Sequence, residues 1–220
     1  MPPRGLDPSG VLLVDKPGGP SSFAVVRQVR ARTGARTGHT GTLDPFASGL
    51  LVLLSGRSTK LMPCFVGLDK RYVTEIDLTA RTSTGDPEGE VVEHLEPPPA
   101  DGLERRLERL RGEIELPIPA ASAVKIGGER AYRLARRGVA VEMPLRRSRI
   151  DALDVIAYTG DTVTLDLRVS SGTYIRAIAE AIGGYCRTLR RTEVGSFRVE
   201  DADPERVIPE ADALAALERR

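Results

Sequence analysis

Tryptophan is absent from this chain, and cysteine and histidine occur only twice each in 220 residues. Aromatic residues amount to 4%. A core must therefore be built from Leu, Val, Ile and Ala, for which the 40% hydrophobic content is sufficient. Cys64 and Cys186 are far apart, with neither metal-ligand spacing nor a disulfide framework, as in a reducing compartment. His39 and His94 are equally separated, and the second lies in an acidic turn, so a dedicated metal cage is not expected. The amino terminus, Met-Pro-Pro-Arg-Gly-Leu-Asp, has no apolar signal segment. No run approaches the roughly 18 apolar residues of a membrane span. These absences together predict a soluble cytoplasmic protein with no metal and no membrane partner.

Lysine is also scarce. Lys16, Lys60, Lys70 and Lys125 stand against 28 arginines. Arg and Lys differ in shape and hydration, so the four lysines mark sites where a compact ammonium is required. The net charge of +1 hides a block pattern. Residues 1–60 carry +5, residues 61–120 carry −6, residues 121–200 carry +5 and the last twenty carry −3. Two basic blocks flank an acidic one. If they meet in space they make a cationic face for a polyanion; otherwise they are ordinary solvated charge.

Along the chain, Val11 to Val14 reads as a short apolar strand. Ser21 and Ser22 offer caps for a helix over Phe23–Arg32, with Phe23, Val26 and Val29 on one inward face and Gly34 as its stop. Leu50–Leu54 is a buried strand, and Arg57–Met62 one helical turn before Pro63. Tyr72–Thr79 alternates as a half-buried strand, paired through a Ser83–Gly89 turn with a return strand at Glu90–Glu93. Leu103, Leu107 and Leu110 mark an amphipathic helix, and Ala131–Arg137 a short basic one. Arg149–Tyr158 and Thr162–Ser170 are paired strands. Thr173 caps a helix with Ile175, Ile178, Ala179 and Ile182 inward. Val194–Val199 is a last strand, and a terminal helix runs from Pro204. Paired strands with irregularly spaced helices predict an α+β fold with a mixed, largely antiparallel central sheet flanked by helices and loops.

The stretch with most chemical content is Gly38-His39-Thr40-Gly41-Thr42-Leu43-Asp44-Pro45-Phe46-Ala47-Ser48-Gly49. It is not a phosphate loop, because six residues separate Gly49 from Gly56 and Arg57 stands where that motif needs Lys. No nucleophile elbow of the form Gly-x-Ser-x-Gly is present. No second acid accompanies Asp44 in the loop, as a glycosidase would want. Pro45 pushes Asp44 toward extended backbone. A carboxylate so held serves as a covalent nucleophile or a general base, or it only closes an Asp-Pro turn.

The string Gly38 to Pro45 resembles the catalytic signature of the TruB family of tRNA pseudouridine synthases. Other segments resemble that family in order. They are Leu13-Val14-Asp15-Lys16-Pro17, Asp69-Lys70-Arg71-Tyr72, Thr82-Ser83-Thr84-Gly85-Asp86, Ser122-Ala123-Val124-Lys125 with Ala131-Tyr132, Ser171 to Arg176, and Leu189-Arg190-Arg191. The resemblance covers about residues 9 to 200. It implies a pseudouridine synthase fold, with a catalytic domain over 1–200, a mobile RNA-contacting segment over about 118–148 and a helix over 201–220. A complete C-terminal RNA-binding domain of the PUA type is not expected.

The implied reaction is a cofactor-free isomerisation. Uracil is detached from C1′, rotated and rejoined through C5, in the T-loop uridine of tRNA conventionally numbered 55. The base first leaves its stack and enters a pocket. The resemblance implies Asp44, Tyr72 and Arg176 as the catalytic set. Asp44 would attack the nucleotide or assist glycosidic cleavage. Tyr72 would stack on the flipped base, and Arg176 would pair with Asp44. His39, Tyr174, Leu189, Lys16, Lys60 and Lys125 are implied substrate-binding residues. The lysines would sit at phosphates or behind the site, and Arg130, Arg133, Arg136 and Arg137 would form a basic patch. The implied partner is the tRNA T-arm, without guide RNA, for a monomeric enzyme. Two alternatives stay open: a guide-RNA-dependent synthase subunit, and a non-catalytic RNA-binding or tRNA-folding module.

Overall fold

The Ser21 hydroxyl accepts from the Ala24 N–H at 3.2 Å and starts the first helix. Gly34 ends it in the left-handed region at φ 66°, its N–H on the Arg30 carbonyl. The computed structural model describes residues 9–137, 139 and 141–218. Its elements run as β1 (Gly10–Lys16), α1 (Ser22–Thr33), β2 (Thr37–His39) and β3 (Ser48–Ser55), then a 3-10 turn (Gly56–Leu61) and α2 (Met62–Val66). Next come β4 (Lys70–Asp77), β5 (Ala80–Thr82), β6 (Val91–His94), α3 (Ala100–Glu108), β7 (Gly112–Pro117), β8 (Lys125–Ile126), β9 (Glu129–Arg130) and α4 (Ala131–Arg136). The chain closes with β10 (Leu145–Tyr158), β11 (Thr162–Val169), α5 (Ile175–Ile182), β12 (Tyr185–Val194), β13 (Phe197–Arg198), a 3-10 turn (Val199–Asp201), β14 (Asp203–Ile208) and α6 (Glu210–Glu218).

The fold is α+β, with a large mixed and mostly antiparallel sheet. The chain divides into two compact units, Met1–Val73 with Leu189–Arg220, and Thr74–Thr188. Strands β4 and β12 each contribute residues to both units. No helix among the described residues is long and apolar enough to cross a membrane.

In the first unit the strand order is β14, β1, β3, β12. The unbroken apolar run of β3 follows from burial on both faces. Leu50, Val52 and Leu54 join Val11, Leu13, Phe65 and Phe197 on one side, against α6. Leu51 and Leu53 join Leu12, Val25, Val26 and Val29 on the other, against α1. In the second unit the order is β4, β11, β10, β7, with α5 packed against α3 and β7.

Several expectations need correction. Phe23 is 58% exposed instead of inward, because the turns of α1 that meet the sheet present Val25, Val26 and Val29. The helical turn expected over Arg57–Met62 is the 3-10 turn, but a further helix follows, with Pro63 in the first turn of α2, where its missing N–H costs nothing. The return strand β6 pairs with β5, not with the long β4. The Asp77 carboxylate accepts from the Thr79 N–H at 2.9 Å and hydroxyl at 2.6 Å, turning the chain where β4 ends. Thr173 is not the cap of α5; its hydroxyl donates to the Ser170 carbonyl at 2.8 Å, and Tyr174 holds the cap position. The helix expected from Pro204 begins only at Glu210. Asp203–Ile208 instead pairs with β1 as an edge strand, a place that tolerates proline. The strand expected over Val194–Val199 is instead the end of Tyr185–Val194 and the short β13.

Candidate active site

The Asp44 loop is clamped through its backbone on both sides of the carboxylate. Before it, the Ser22 hydroxyl accepts from the Leu43 N–H at 2.8 Å and donates to the Leu43 carbonyl at 2.9 Å. After it, the Pro45 carbonyl accepts from the Gly19 N–H at 2.8 Å and from the Lys16 ammonium at 3.1 Å. Asp44 itself is half-buried. A carboxylate whose two neighbours are pinned to β1 and α1 is held in place before any substrate arrives.

Lys16 is fully buried, and its ammonium also donates to the carbonyls of Pro17 at 2.9 Å and Pro20 at 2.8 Å. It stands behind the loop and is not a phosphate contact, because a buried ammonium must spend its three donors on protein oxygens. The compact ammonium turns its three donors onto three converging carbonyls. Lys70 follows the same pattern, buried and donating to the carbonyls of Val66 at 3.0 Å and of Leu68. Lys60 and Lys125 are exposed. The four lysines thus divide into two braces and two surface cations.

The far side of the loop rests on Arg191, a fully buried arginine of β12. Its guanidinium donates to the carbonyls of Leu50 at 2.8 Å, Gly41 at 3.1 Å and Thr42 at 3.4 Å. β12 runs parallel to β3 here, with Arg191 opposite Gly49. A Cβ on Gly49 would stand 2.2 Å from the Arg191 carbonyl oxygen, and Gly49 has φ 105°. Gly49→Ala should therefore part β3 from β12 and cost roughly 2–4 kcal/mol. Denaturant unfolding checks this; a midpoint equal to wild type would contradict the packing.

His39 lies on β2, and its Nδ1 is buried without a hydrogen-bond partner among the described residues. Burial, with the Arg191 cation adding, pushes its pKa below 6.5 and keeps the ring neutral at pH 7. Burial also brings the Lys70 ammonium down to about 8 from 10.5, Arg191 adding to the shift and Asp69 opposing it. Below pH 8 folded and unfolded chains both hold this proton. Between pH 8 and 10.5 only the unfolded chain holds it, so this group makes stability rise with pH across that window. The gain is about 3 kcal/mol. The stability difference between wild type and Lys70→Met, followed by urea unfolding from pH 7 to pH 10.5, should move in wild type's favour by this amount. A flat difference would contradict the burial cost. Tyr72 shares a face of β4 with Lys70 and is buried, as is Leu189 on β12.

In the second unit Arg176 is only 2% exposed. It is no surface arginine of an amphipathic helix. Its guanidinium donates to the carbonyls of Thr84 at 2.6 Å and Ala121 at 3.0 Å, and lies 3.4 Å from the Asp86 carboxylate. Asp86 is itself buried and accepts from the Glu88 N–H at 3.1 Å and the Thr84 hydroxyl. Tyr174 is half-buried and lines a small cavity with Ile114, Leu116, Arg146 and Thr173. In the segment 118–148, Gly127 and Gly128 turn β8 into β9 with positive φ. Arg137 pairs with Glu129 at 2.8 Å, and the Arg130 guanidinium donates to the Ala123 carbonyl at 2.8 Å. Arg133 lies over the Tyr132 ring, 5.9 Å from its centroid. The Arg136 side chain lies outside the described residues, as does the amino-terminal stretch Met1–Pro8.

The structure thus gathers His39, Asp44, Lys16, Lys60, Tyr72 and Leu189 in the first unit, and Arg176, Tyr174 and Lys125 in the second. Sequence reading missed what braces them. Ser22 looked like a helix cap, Asp86 like a turn residue and Arg191 like one more arginine in an arginine-rich chain. Only Asp86 and Arg191 were singled out by motif position.

The chain is similar to known proteins over most of its length. Residues 27–175 match the family model described as TruB family pseudouridylate synthase, N-terminal domain. The chain is 44% identical over 222 residues to the tRNA pseudouridine synthase B of Mycobacterium sp. strain KMS, covering 94% of this chain and 72% of that one. It is 42% identical over 226 residues to the protein of the same name from Leifsonia xyli, covering 96% and 75%. Among solved structures, that of a Cbf5-Nop10-Gar1 complex matches with a TM-score of 0.67 and 27% identity. That match covers 98% of this chain and 59% of the solved one, so the chain spans under two thirds of that protein. With the aspartate loop, the tyrosine strand and the arginine helix in place, the fold is that of the pseudouridine synthases, and the chain belongs to the TruB family of pseudouridylate synthases.

Proposed function

We propose that the chain isomerises uridine to pseudouridine in tRNA, at the T-loop uridine 55. The observation that supports this best is the Asp44 loop. One carboxylate is presented on a backbone pinned by Ser22 on one side and by Lys16 and Gly19 on the other. Such bracing fits a group that must meet a flipped nucleotide in one geometry. In the reaction the C1′–N1 bond breaks, uracil turns, C1′ bonds to C5, the C5 proton leaves to solvent and the freed N1 takes a proton from solvent, so atoms balance without a co-reactant.

Asp44 acts on the nucleotide. Tyr72 stacks on the flipped uracil, and its hydroxyl serves in the late proton removal. Arg176 completes the catalytic set. The neutral His39 fills the space the base vacates. Tyr174 and Leu189 are substrate-binding residues, and the exposed Lys60 and Lys125 contact phosphate. The catalytic domain runs over 1–200, with 118–148 as the segment that closes on RNA. The enzyme works as a cytoplasmic monomer on the tRNA T-arm, without guide RNA.

A guide-dependent reading draws on the relative solved within a Cbf5-Nop10-Gar1 complex. The higher identity to the bacterial proteins named tRNA pseudouridine synthase B favours the first reading. Incubating tRNA carrying tritium at uridine C5 with the purified protein tests this. Release without any guide is expected. Release only on adding a guide RNA would overturn the stand-alone reading. Tight tRNA binding with no release would make the protein a binding or folding module.

A further inference from the structure

Phe23 is one of only four phenylalanines in the chain. Phe65 and Phe197 stack in the core with ring centroids 6.0 Å apart, whereas Phe23 stands 58% exposed on α1. Single exposed apolar residues are common and need no explanation by themselves. Three observations set this one apart. The Arg27 guanidinium lies over its ring, 5.6 Å from the centroid. Arg30 follows on the same exposed stripe, α1 contains no acid, and neither Arg27 nor Arg30 has an ion pair among the described residues. Finally, Phe23 adjoins Ser22, whose hydroxyl holds both backbone groups of Leu43, the residue before Asp44. Bond lengths along that path place the Cα atoms of Phe23 and Asp44 within about 14 Å of each other.

An exposed ring backed by an unpaired cation, followed by a second cation one helical turn on, matches what unpaired nucleic acid requires. Aromatic faces take bases by stacking, and arginines take the phosphates between them. We propose that Phe23 and Arg27 form a stacking platform for an unpaired base of the substrate RNA close to the target uridine, with Arg30 at the adjoining phosphate. The platform positions substrate and takes no part in bond making. It rests on the reading of the protein as an RNA uridine isomerase.

The test uses the full chain and a T-arm hairpin RNA with C5 tritium. Phe23→Ala should raise KM and the hairpin Kd roughly 5- to 100-fold, with kcat within about two-fold of wild type. Phe23→Leu should be as impaired as Phe23→Ala, and Phe23→Tyr should restore binding, because stacking needs the ring. Arg27→Ala should weaken binding and lower the salt slope by about 1. Thermal unfolding confirms that each variant is folded. Unchanged KM in Phe23→Ala, rescue by Phe23→Leu, or a loss in kcat alone would overturn the platform. A wild-type protein that binds the hairpin but releases no tritium would overturn the isomerase reading, while the binding arms still decide the platform. A wild type that binds no RNA would overturn both.

Discussion

Asp44→Asn should reduce tritium release from C5 by about a thousand-fold or more while leaving tRNA binding and the melting temperature near wild type. Asparagine keeps the shape of the side chain and removes its charge and basicity. Six contacts that hold the loop are made by its backbone. The Leu43 N–H and carbonyl meet Ser22, the Pro45 carbonyl meets Lys16 and Gly19, and the Gly41 and Thr42 carbonyls meet Arg191. None of these requires the Asp44 carboxylate. Chemistry and architecture are therefore separable at this position, and single-turnover release with saturating enzyme reads the chemistry alone. A melting temperature that fell with activity would show that the carboxylate helps to hold the loop.

Arg176→Ala should behave differently, with stability lost first. The substitution removes a buried cation from two carbonyls and leaves the Asp86 carboxylate buried without its ion pair. Breaking a buried pair from one side costs about 3–5 kcal/mol. In a chain of this length that lowers the melting temperature by about 6–20 °C. Removing Asp86 as well should recover part of the loss, so the double variant Arg176→Ala/Asp86→Ala should cost less than the sum of the single ones. Additive losses would mean that the two groups do not stabilise each other. Arg176→Lys is the variant for function, since it keeps the charge but loses the fork that reaches two carbonyls and a carboxylate. If Arg176 belongs to the catalytic set, turnover should fall further than RNA affinity. Equal losses in both would remove it from the catalytic set.

The legible parts of the sequence were those in which local chemistry and tertiary placement agree. Ser21 and Gly34 bound α1 because caps act through their own backbone neighbours. The apolar run of β3 read as buried because both of its faces are covered. The Asp44 loop was legible as a whole string of turn residues around one acid. What escaped depends on partners distant in sequence. β12 carries Arg187, Arg190, Arg191 and Glu193 and shows no clean apolar alternation, yet it lies beside β3, with Arg191 buried. β14 opens with Asp-Pro-Glu, a helix start in isolation, and becomes a strand because β1 offers it an edge. Phe23 fits an inward helical face by spacing, but α1 meets the sheet through its valines. The division of the lysines had a faint signal in their scarcity. Only the structure shows that Lys16 and Lys70 brace carbonyls while Lys60 and Lys125 face solvent.

The most direct measurement maps the product. An unmodified tRNA transcript is incubated with the purified chain alone, and pseudouridine is located by mass spectrometry of RNA fragments. The expected result is one pseudouridine, at the T-loop uridine, with wild type, and none with Asp44→Asn. Pseudouridine formed equally by Asp44→Asn, or no pseudouridine from a wild-type protein that binds the transcript tightly, would contradict the assignment of this loop as the catalytic centre.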